Sequence, residues 1–322
     1  MRYRILLVIS VLIISCAAAV ARPDKHKSKG DDQEVERTTP ADPRVVLSVC
    51  LGSGNVTVRG WDRNEVHASM TDGIQIEFQP SVTGTPGPPK ELNLGMASDR
   101  RRASNHCLPF GSLELDVPRE ATVKVQAGDA EIDASGVARL NIDTQNGAVT
   151  VAHATRAIDV NTLGGEIIVQ NSQGAIKVHS VGGAIEVRDV SSLAPEDACE
   201  VTNVGGDIDV ENVSHRQVKV DTVGGDIIFQ SALAHGGHYS FQSISGDLSL
   251  RLPADSSFRL SATLQDEPNS DFDIKYSVLE GPPPDTNRKF RPVPRRFEGT
   301  YGTGDALINF SSFMGSILLR KR

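Results

Sequence analysis

The sequence has few aromatic residues, few cysteines and more acidic than basic side chains. Aromatic residues make up 5% of the 322 positions, so Val, Ile, Leu and Ala must fill the core. This composition is typical of strands that stack on copies of themselves in thin layers. The formal net charge is −8 and no dense basic stripe is present, which argues against nucleic acid as a partner.

One apolar, uncharged stretch, Ile5 to Ala21, follows two arginines at the N-terminus and has the pattern of a secretory signal. Cleavage after Ala21 would release a soluble protein. Alternatively, the residues before Cys16 resemble a bacterial lipobox, in which Cys16 would carry a lipid. An uncleaved anchor is a third interpretation, since the stretch is slightly shorter than the roughly 20 residues that span a bilayer.

All three alternatives predict export to the periplasm, to the outer membrane or cell surface, or into the medium. A membrane would be contacted only through the possible N-terminal lipid or anchor. Residues 22–44 are rich in Lys, Asp, Glu, Ser, Pro and Thr, so we expect a disordered tether before the folded part.

One short pattern recurs through the rest of the chain: glycine, a small or acidic residue, then an apolar, a variable and an apolar residue. It occurs at Gly54–Val58, Gly128–Ile132, Gly147–Val151, Gly165–Val169, Gly174–Val178, Gly183–Val187, Gly206–Val210, Gly225–Phe229, Gly246–Leu250, Gly304–Ile308 and Gly315–Leu319. Four of the steps between copies, from Gly128 to Gly165 and from Gly206 to Gly246, are 18 to 21 residues long, and a second strand lies within each period. The steps of 9 residues from Gly165 to Gly174 and to Gly183 show the same two-strand unit. Such self-similarity predicts an all-β, single-domain β-solenoid over residues 45–320, built from rungs of about 19 residues.

The copy at Gly206–Val210 illustrates the expected geometry of one rung. Alternate residues of a strand face the same side, so Ile208 and Val210 should point into the core while Asp207 and Asp209 meet solvent. The glycine pairs before several copies would permit the positive φ of a tight corner. Stacking the next rung would then bury a continuous ladder of Ile and Val.

Two proline-containing stretches, residues 80–107 and 265–302, interrupt the repeats. Because proline cannot donate to a β-ladder, we expect both to be loops that project from the stack. The second stretch carries a basic cluster that is a candidate binding loop, particularly for anionic partners. The cluster consists of Arg288, Lys289, Arg291, Arg295 and Arg296.

The positions of the cysteines predict one disulfide bond. Cys50 and Cys107 each stand just before a strand-like run, so they are the expected disulfide pair in an oxidising compartment. Alternatively, they are small buried hydrophobic residues. Cys199 would remain unpaired.

The repeated Gly-Gly-Asp-Ile-x-Val, the segment from Gly54 to Asp62 and the segment from Gly302 to Ile308 together resemble the DUF4097 family. Members of this family are catalogued as candidate adhesins with a β-solenoid body, and the resemblance spans roughly residues 45–320. It implies the fold, export and an envelope setting. It supplies no catalytic residues, because the family has no agreed active site.

Sequence motifs for catalysis or metal binding are weak. Acidic residues follow many of the glycines, but the repeats lack the third glycine and the aspartate of the calcium-binding β-roll, and no G-x-S-x-G motif occurs. We therefore predict no cofactor, no metal site and no enzyme activity. The sequence favours an adhesin-like or scaffold protein that binds an envelope polysaccharide or another envelope protein. A polysaccharide lyase or hydrolase on the same scaffold and an envelope-stress sensor are the alternatives.

Overall fold

The computed structural model of the chain describes residues 34–81, 86–97, 107–279 and 295–322, which form 25 β-strands and no α-helix. The first strands are β1 (Val35–Pro40), β2 (Val46–Trp61), β3 (Glu65–Met70), β4 (Ile76–Pro80), β5 (Glu91–Met96), β6 (Gly111–Pro118), β7 (Thr122–Ser135) and β8 (Arg139–Asn146). They are followed by β9 (Val149–Ala152), β10 (Ala157–Thr162), β11 (Ile167–Gln170), β12 (Ala175–Gly182), β13 (Ile185–Val190), β14 (Ala198–Gly205), β15 (Ile208–Val213), β16 (Gln217–Gly224) and β17 (Ile227–Gln230). The last strands are β18 (His238–Ser245), β19 (Leu248–Leu252), β20 (Phe258–Leu264), β21 (Asn269–Ser270), β22 (Ser277–Leu279), β23 (Arg295–Tyr301), β24 (Ala306–Ser312) and β25 (Ile317–Lys321). Since the described ranges contain no helix, none of their segments could cross a membrane as a helical span.

The strands stack into two long parallel arrays, which we call sheet A and sheet B. The central order of sheet A is β5, β2, β7, β8, β10, β12, β14, β16, β18, β24 and β20. The central order of sheet B is β6, β2, β7, β9, β11, β13, β15, β17, β19, β25 and β21. The long strands β2 and β7 bend at a corner and contribute to both sheets. The predicted all-β solenoid is therefore confirmed.

The core lies between the two sheets and consists of ladders of small aliphatic side chains. Ile208 and Val210 are buried and Asp207 and Asp209 are exposed, as the repeat pattern predicts. One ladder of sheet A runs through equivalent residues of successive rungs: Val49, Val125, Ile142, Val160, Val178, Val201, Val220, Phe241 and Phe310. Cys199 occupies the neighbouring ladder, and complete burial raises its pKa to about 12, so this thiol behaves as a small hydrophobic residue.

Antiparallel strands cover both ends of the stack. At the N-terminal end, β4 pairs with β5, while β3 pairs with β6 and β1 with β3. At the C-terminal end, β23 pairs with β20 and β22 pairs with β23. These strands close sheet A at both ends and sheet B at its N-terminal end, where unpaired edges would otherwise be templates for association.

The structure differs from the predicted tether and loops where these end strands form. Residues 35–40 of the expected tether are strand β1, in which Val35 is the buried residue; residues 22–33 lie outside the described part. Strand β5 lies inside the expected loop 80–107, because Leu92 and Leu94 alternate with polar residues and are buried. Strand β23 lies inside the expected loop 265–302, with Phe297 buried against the core.

The last repeat does not stack in sequence order. Strand β24 lies between β18 and β20, so the chain first forms the outermost rung and then returns to fill the place beneath it. Strand β25 does the same in sheet B, pairing with β19 and with β21. The C-terminal repeat is therefore held by hydrogen bonds on both sides.

The second glycine of each pair makes the corner between sheet A and sheet B. Gly206 and Gly225 have φ values of +124° and +118°, a region that side chains disfavour. A Cβ atom on Gly225 would lie 2.3 Å from the carbonyl oxygen of Gly206 in the rung below. Only glycine lets adjacent rungs approach this closely.

Replacing Gly225 with Ala is expected to lower the free energy of unfolding by about 2–3 kcal/mol, because positive φ and the short contact act together. Chemical denaturation measures this loss. Gly224→Ala is the matched control, since a Cβ there would meet its nearest atom, the carbonyl oxygen of Val204, at 3.9 Å. Equal losses in the two variants would contradict the role assigned to the second glycine.

A buried histidine lies at the opposite corner, where sheet B returns to sheet A. His215 is fully buried, and its Nε2 lies 2.8 Å from the carbonyl oxygen of Gly174. Burial lowers the pKa of His215, and the hydrogen bond to Gly174 and the charge of Asp197 oppose this effect only partly. The folded state therefore holds the neutral ring.

Because an unfolded histidine titrates near pH 6.5, we expect the fold to lose stability as the pH falls below about 6.5 and to be unaffected by this group above it. Denaturation midpoints at about pH 7.5 and about pH 5.5 measure the effect. His215→Gln removes the titration, so the variant should show a smaller acid-induced loss than the natural chain. An identical loss in both proteins would contradict the assignment.

Candidate ligand groove along one corner

An exposed apolar row runs along the corner where sheet A turns into sheet B. In each of six rungs, a large apolar residue stands two positions before the glycine that opens the repeat pattern and points into solvent. We call these residues the apolar ridge: Leu163, Val181, Val204, Val223, Ile244 and Phe313. Their exposed fractions range from 41% to 61%, whereas the inward aliphatic residues of the neighbouring strands are buried.

Strand register places the ridge residues above one another. Ser180 pairs with Asn203 and Gly182 with Gly205, so Val181 and Val204, which lie between them, are neighbours. The same relation connects Val204 with Val223 and Val223 with Ile244. At the two ends of the row, Leu163 and Phe313 directly follow the paired residues Thr162 and Ser312. With about 4.8 Å between rungs, the five steps of the ridge extend over about 24 Å.

A second row of outward side chains follows the ridge two residues earlier in each strand of sheet A. We call it the polar row: Gln126, Asp143, Asn161, His179, Thr202, Asp221, Gln242, Ser311 and Thr263. Together the ridge and the polar row form the two sides of a shallow groove parallel to the solenoid axis. One side of this groove is aliphatic and the other offers hydroxyl, amide and carboxylate groups.

Three depressions follow one another along sheet A. The C-terminal one, about 440 Å³, extends from Thr202 to Phe313, and the central one, about 220 Å³, from Gln126 to His179. The N-terminal one, about 630 Å³, shares Gln126 and Asp143 with the central depression but contains no ridge residue. The groove itself therefore extends over the rungs from Leu163 to Phe313.

The ridge exists because the residue before it is a buried polar one. Thr162 and Thr222 point inward and donate to the carbonyl oxygens of Gly164 and Gly224 at 2.7 and 3.1 Å, which satisfies corner backbone groups. Alternation then forces the next residue outward. The other buried polar residues of this inward column are Thr144, Ser180, Asn203, Ser243 and Ser312.

Three residues of the C-terminal depression have a buried side-chain polar atom with no hydrogen-bond partner among the described residues: Asn203 Oδ1, Asp221 Oδ1 and Ser243 Oγ. Asp221 Oδ2 lies 3.0 Å from Lys219 Nζ, and this contact raises the pKa of Lys219. Buried polar atoms are normally satisfied. Asn203 and Ser243 belong to the inward column, so of these three residues only Asp221, a member of the polar row, lies on the outer face where a ligand could bind.

Acidic residues border the far side of the ridge, directly after the glycines. The backbone N–H of Asp226 donates to Asp207 Oδ1 at 2.9 Å, and that of Asp247 donates to Asp226 Oδ1 at 2.8 Å. The N–H of Ser316 donates to Asp247 Oδ1 at 2.8 Å. These carboxylates therefore connect successive rungs and also make this edge of the molecule negative.

Within the described residues, no group of three or more His, Cys, Asp and Glu side chains is placed to hold a metal.

The predicted basic binding loop differs from the structure where the structure describes it. Arg295 and Arg296 belong to strand β23 rather than to a loop. Arg296 forms an ion pair with Glu298 at 2.8 Å, and Arg295 stacks on the Phe297 ring at 5.6 Å. Neither guanidinium is therefore an unengaged anion site. Three other members of the cluster (Arg288, Lys289 and Arg291) and the predicted lipidation site, Cys16, lie outside the described residues.

In the structure a disulfide joins Cys50 and Cys107 beside the N-terminal depression, with their Cα atoms 4.4 Å apart. The N–H of Leu108 donates to the carbonyl oxygen of Cys50 at 2.8 Å, and the N–H of Gly52 donates to that of Leu108 at 2.7 Å. The bond therefore fixes a short segment against strand β2.

Exchange of both cysteines (Cys50→Ser with Cys107→Ser) is expected to lower the free energy of unfolding by about 2–4 kcal/mol, since the bond closes a long loop in the unfolded chain. Denaturation with and without a reductant measures the effect. The natural chain should lose this stability on reduction, whereas the double variant should not respond. Insensitivity of the natural chain to reduction would contradict the contribution of this bond.

The two stacked parallel sheets define the chain as a β-solenoid repeat protein. Residues 175–277 match the model of the Toastrack DUF4097 family. The resemblance predicted from the repeats is confirmed over this segment, which is shorter than the span of 45–320 expected from the sequence. Among curated proteins, no match to the chain is found.

Several solved structures are similar to this chain. A candidate lipid-binding protein from Parabacteroides distasonis ATCC 8503 is 12% identical over 91% of this chain and 98% of its own, with a TM-score of 0.44. A candidate adhesin from the same strain is 8% identical over 91% and 98%, with a TM-score of 0.38. A candidate cell adhesion protein from Clostridium sporogenes ATCC 15579 is 11% identical over 90% and 100%, with a TM-score of 0.26. At these low TM-scores the likenesses carry no inference about a ligand.

The sequence contains a signal for the ridge that the repeat pattern does not include. A large aliphatic residue precedes each of four glycine pairs, as in Leu163-Gly-Gly and Val223-Gly-Gly. Its exposure could not be derived from the repeat alone, because an aliphatic residue in a solenoid is expected to be buried.

Proposed function

We propose that this protein is an exported, non-enzymatic binding protein of the cell envelope that acts as an adhesin or scaffold. The observation that carries the proposal is the groove between the apolar ridge and the polar row. It is long and shallow, and it lies on strands held by hydrogen bonds on both sides. Such a surface suits an extended partner bound through many weak contacts.

Lack of catalysis is part of the same proposal. The acids nearest the ridge, Asp207, Asp226 and Asp247, each accept a hydrogen bond from the next rung. That role supports the stack, and it is distinct from a pair of carboxylates set across a glycosidic bond.

Incubation of the purified protein with a panel of envelope and extracellular polysaccharides tests this function. Retention on each polymer and release of new reducing or unsaturated ends are measured in the same samples. We expect retention without new ends. New ends that follow the protein through purification would identify a lyase or hydrolase instead, and retention on no polymer would count against the proposal.

A further inference from the structure

The groove also contains information about the chemistry of its ligand. We propose that it binds a neutral, linear polysaccharide strand that lies along the solenoid axis, with the sugar C–H faces on the apolar ridge and the hydroxyl groups on the polar row. This inference rests on the proposed binding function and specifies the partner.

The polar row offers hydrogen-bonding groups without a partner in the C-terminal depression. Asp221 Oδ1 is an acceptor without a partner among the described residues. Among the described residues, the side chains of Thr202 and Gln242 have no hydrogen-bond partner. Sugar hydroxyl groups donate and accept at closely spaced positions, so one strand could satisfy this set.

The apolar ridge favours a ligand that has an apolar side. Val204, Val223 and Ile244 present aliphatic surface at successive rungs, and polar groups placed there would lose water without gaining a partner. A pyranose ring meets this condition, because its edge carries hydroxyl groups while its faces carry C–H groups. The groove has the same division into one polar and one apolar side.

The spacing of the rungs favours a glycan over an extended peptide. Ridge residues repeat about every 4.8 Å, whereas side chains on one face of an extended peptide repeat about every 6.7 Å. A peptide would therefore lose register within two or three rungs. An extended chain of β-1,4-linked pyranose units advances by roughly one rung per unit, so each ring can place one of its two C–H faces on one ridge residue.

A second copy of this chain fits the ridge poorly. The ridge is about 24 Å long and roughly 10 Å wide, which gives on the order of 250 Å² against about 800 Å² per partner in a stable interface. Both copies would also bring the same acidic edge, which includes Asp207, Asp226 and Asp247.

Charge selects against anionic polymers. Asp143 and Asp221 stand in the polar row on one side of the ridge, and the row of acids stands on the other. Glycans that carry carboxylate or sulfate groups, and anionic lipid surfaces, would therefore be repelled. A neutral strand meets no such penalty.

Calorimetry with neutral oligosaccharides of increasing length provides the first test. The probes are β-1,4-linked oligomers of glucose and of N-acetylglucosamine and α-1,4-linked oligomers of glucose, with oligogalacturonate as the anionic counterpart. For at least one neutral series, affinity should rise with length up to about six units, one per ridge rung, and then level off. The anionic series should bind at least about tenfold more weakly.

A pair of matched double variants provides the second test. Val223→Ser with Ile244→Ser removes two ridge side chains and should weaken binding by about tenfold or more. Ile168→Ser with Ile228→Ser removes two outward aliphatic side chains of sheet B and should change affinity by less than about twofold. Thermal unfolding of both variants verifies that the fold is retained.

The outcomes separate this inference from the proposed function. Polymer retention that is insensitive to the ridge variant, or that prefers anionic chains, would overturn the inference and leave the binding function standing. A dimer that the ridge variant dissociates would identify a second copy as the occupant and overturn it as well. Binding to no polymer of the panel would overturn both.

Discussion

The close approach of successive rungs at the glycine corners is the constraint on which the rest of the structure depends. Parallel strands pair with the rung above and below, and this pairing continues around the corner only if the backbones can come together there. At Gly206 a Cβ atom would lie 2.3 Å from the carbonyl oxygen of Gly183, and at Gly225 the same conflict would arise with Gly206. Glycine removes the conflict and tolerates the positive φ that the turn requires.

Because the rungs are in register, a residue type that recurs at one position of the repeat forms a continuous row along the molecule. Inward Ile and Val form the core ladders, and inward Thr and Ser satisfy corner carbonyl groups. Outward residues form rows in the same way, so a solvent-facing aliphatic residue in each of six rungs becomes a ridge about 24 Å long. The groove is thus a product of repetition: no single rung contains a binding site, and the stack presents an extended one.

The sequence also contained the elements that depart from the repeat, but their interpretation failed where local and long-range signals disagreed. Leu92 and Leu94 alternate like any strand, yet the prolines before them favoured a loop. Their place in sheet A depends on pairing with β2, which is distant in sequence. Arg295 and Arg296 looked like a basic loop, whereas the burial of Phe297 between β20 and β22 makes this segment a strand.

By itself, the sequence determined the solenoid, because period, alternation and corner glycines act between neighbouring residues and repeat along the chain. Tertiary structure alone decided the order in which the last rungs stack, the strands that close both ends and the exposure of the ridge. Each of these depends on which distant segment completes the hydrogen bonds of an open edge, or on which side of a corner faces solvent. A single repeat contains no information on either, so the candidate groove could be recognised only when the rungs were assembled.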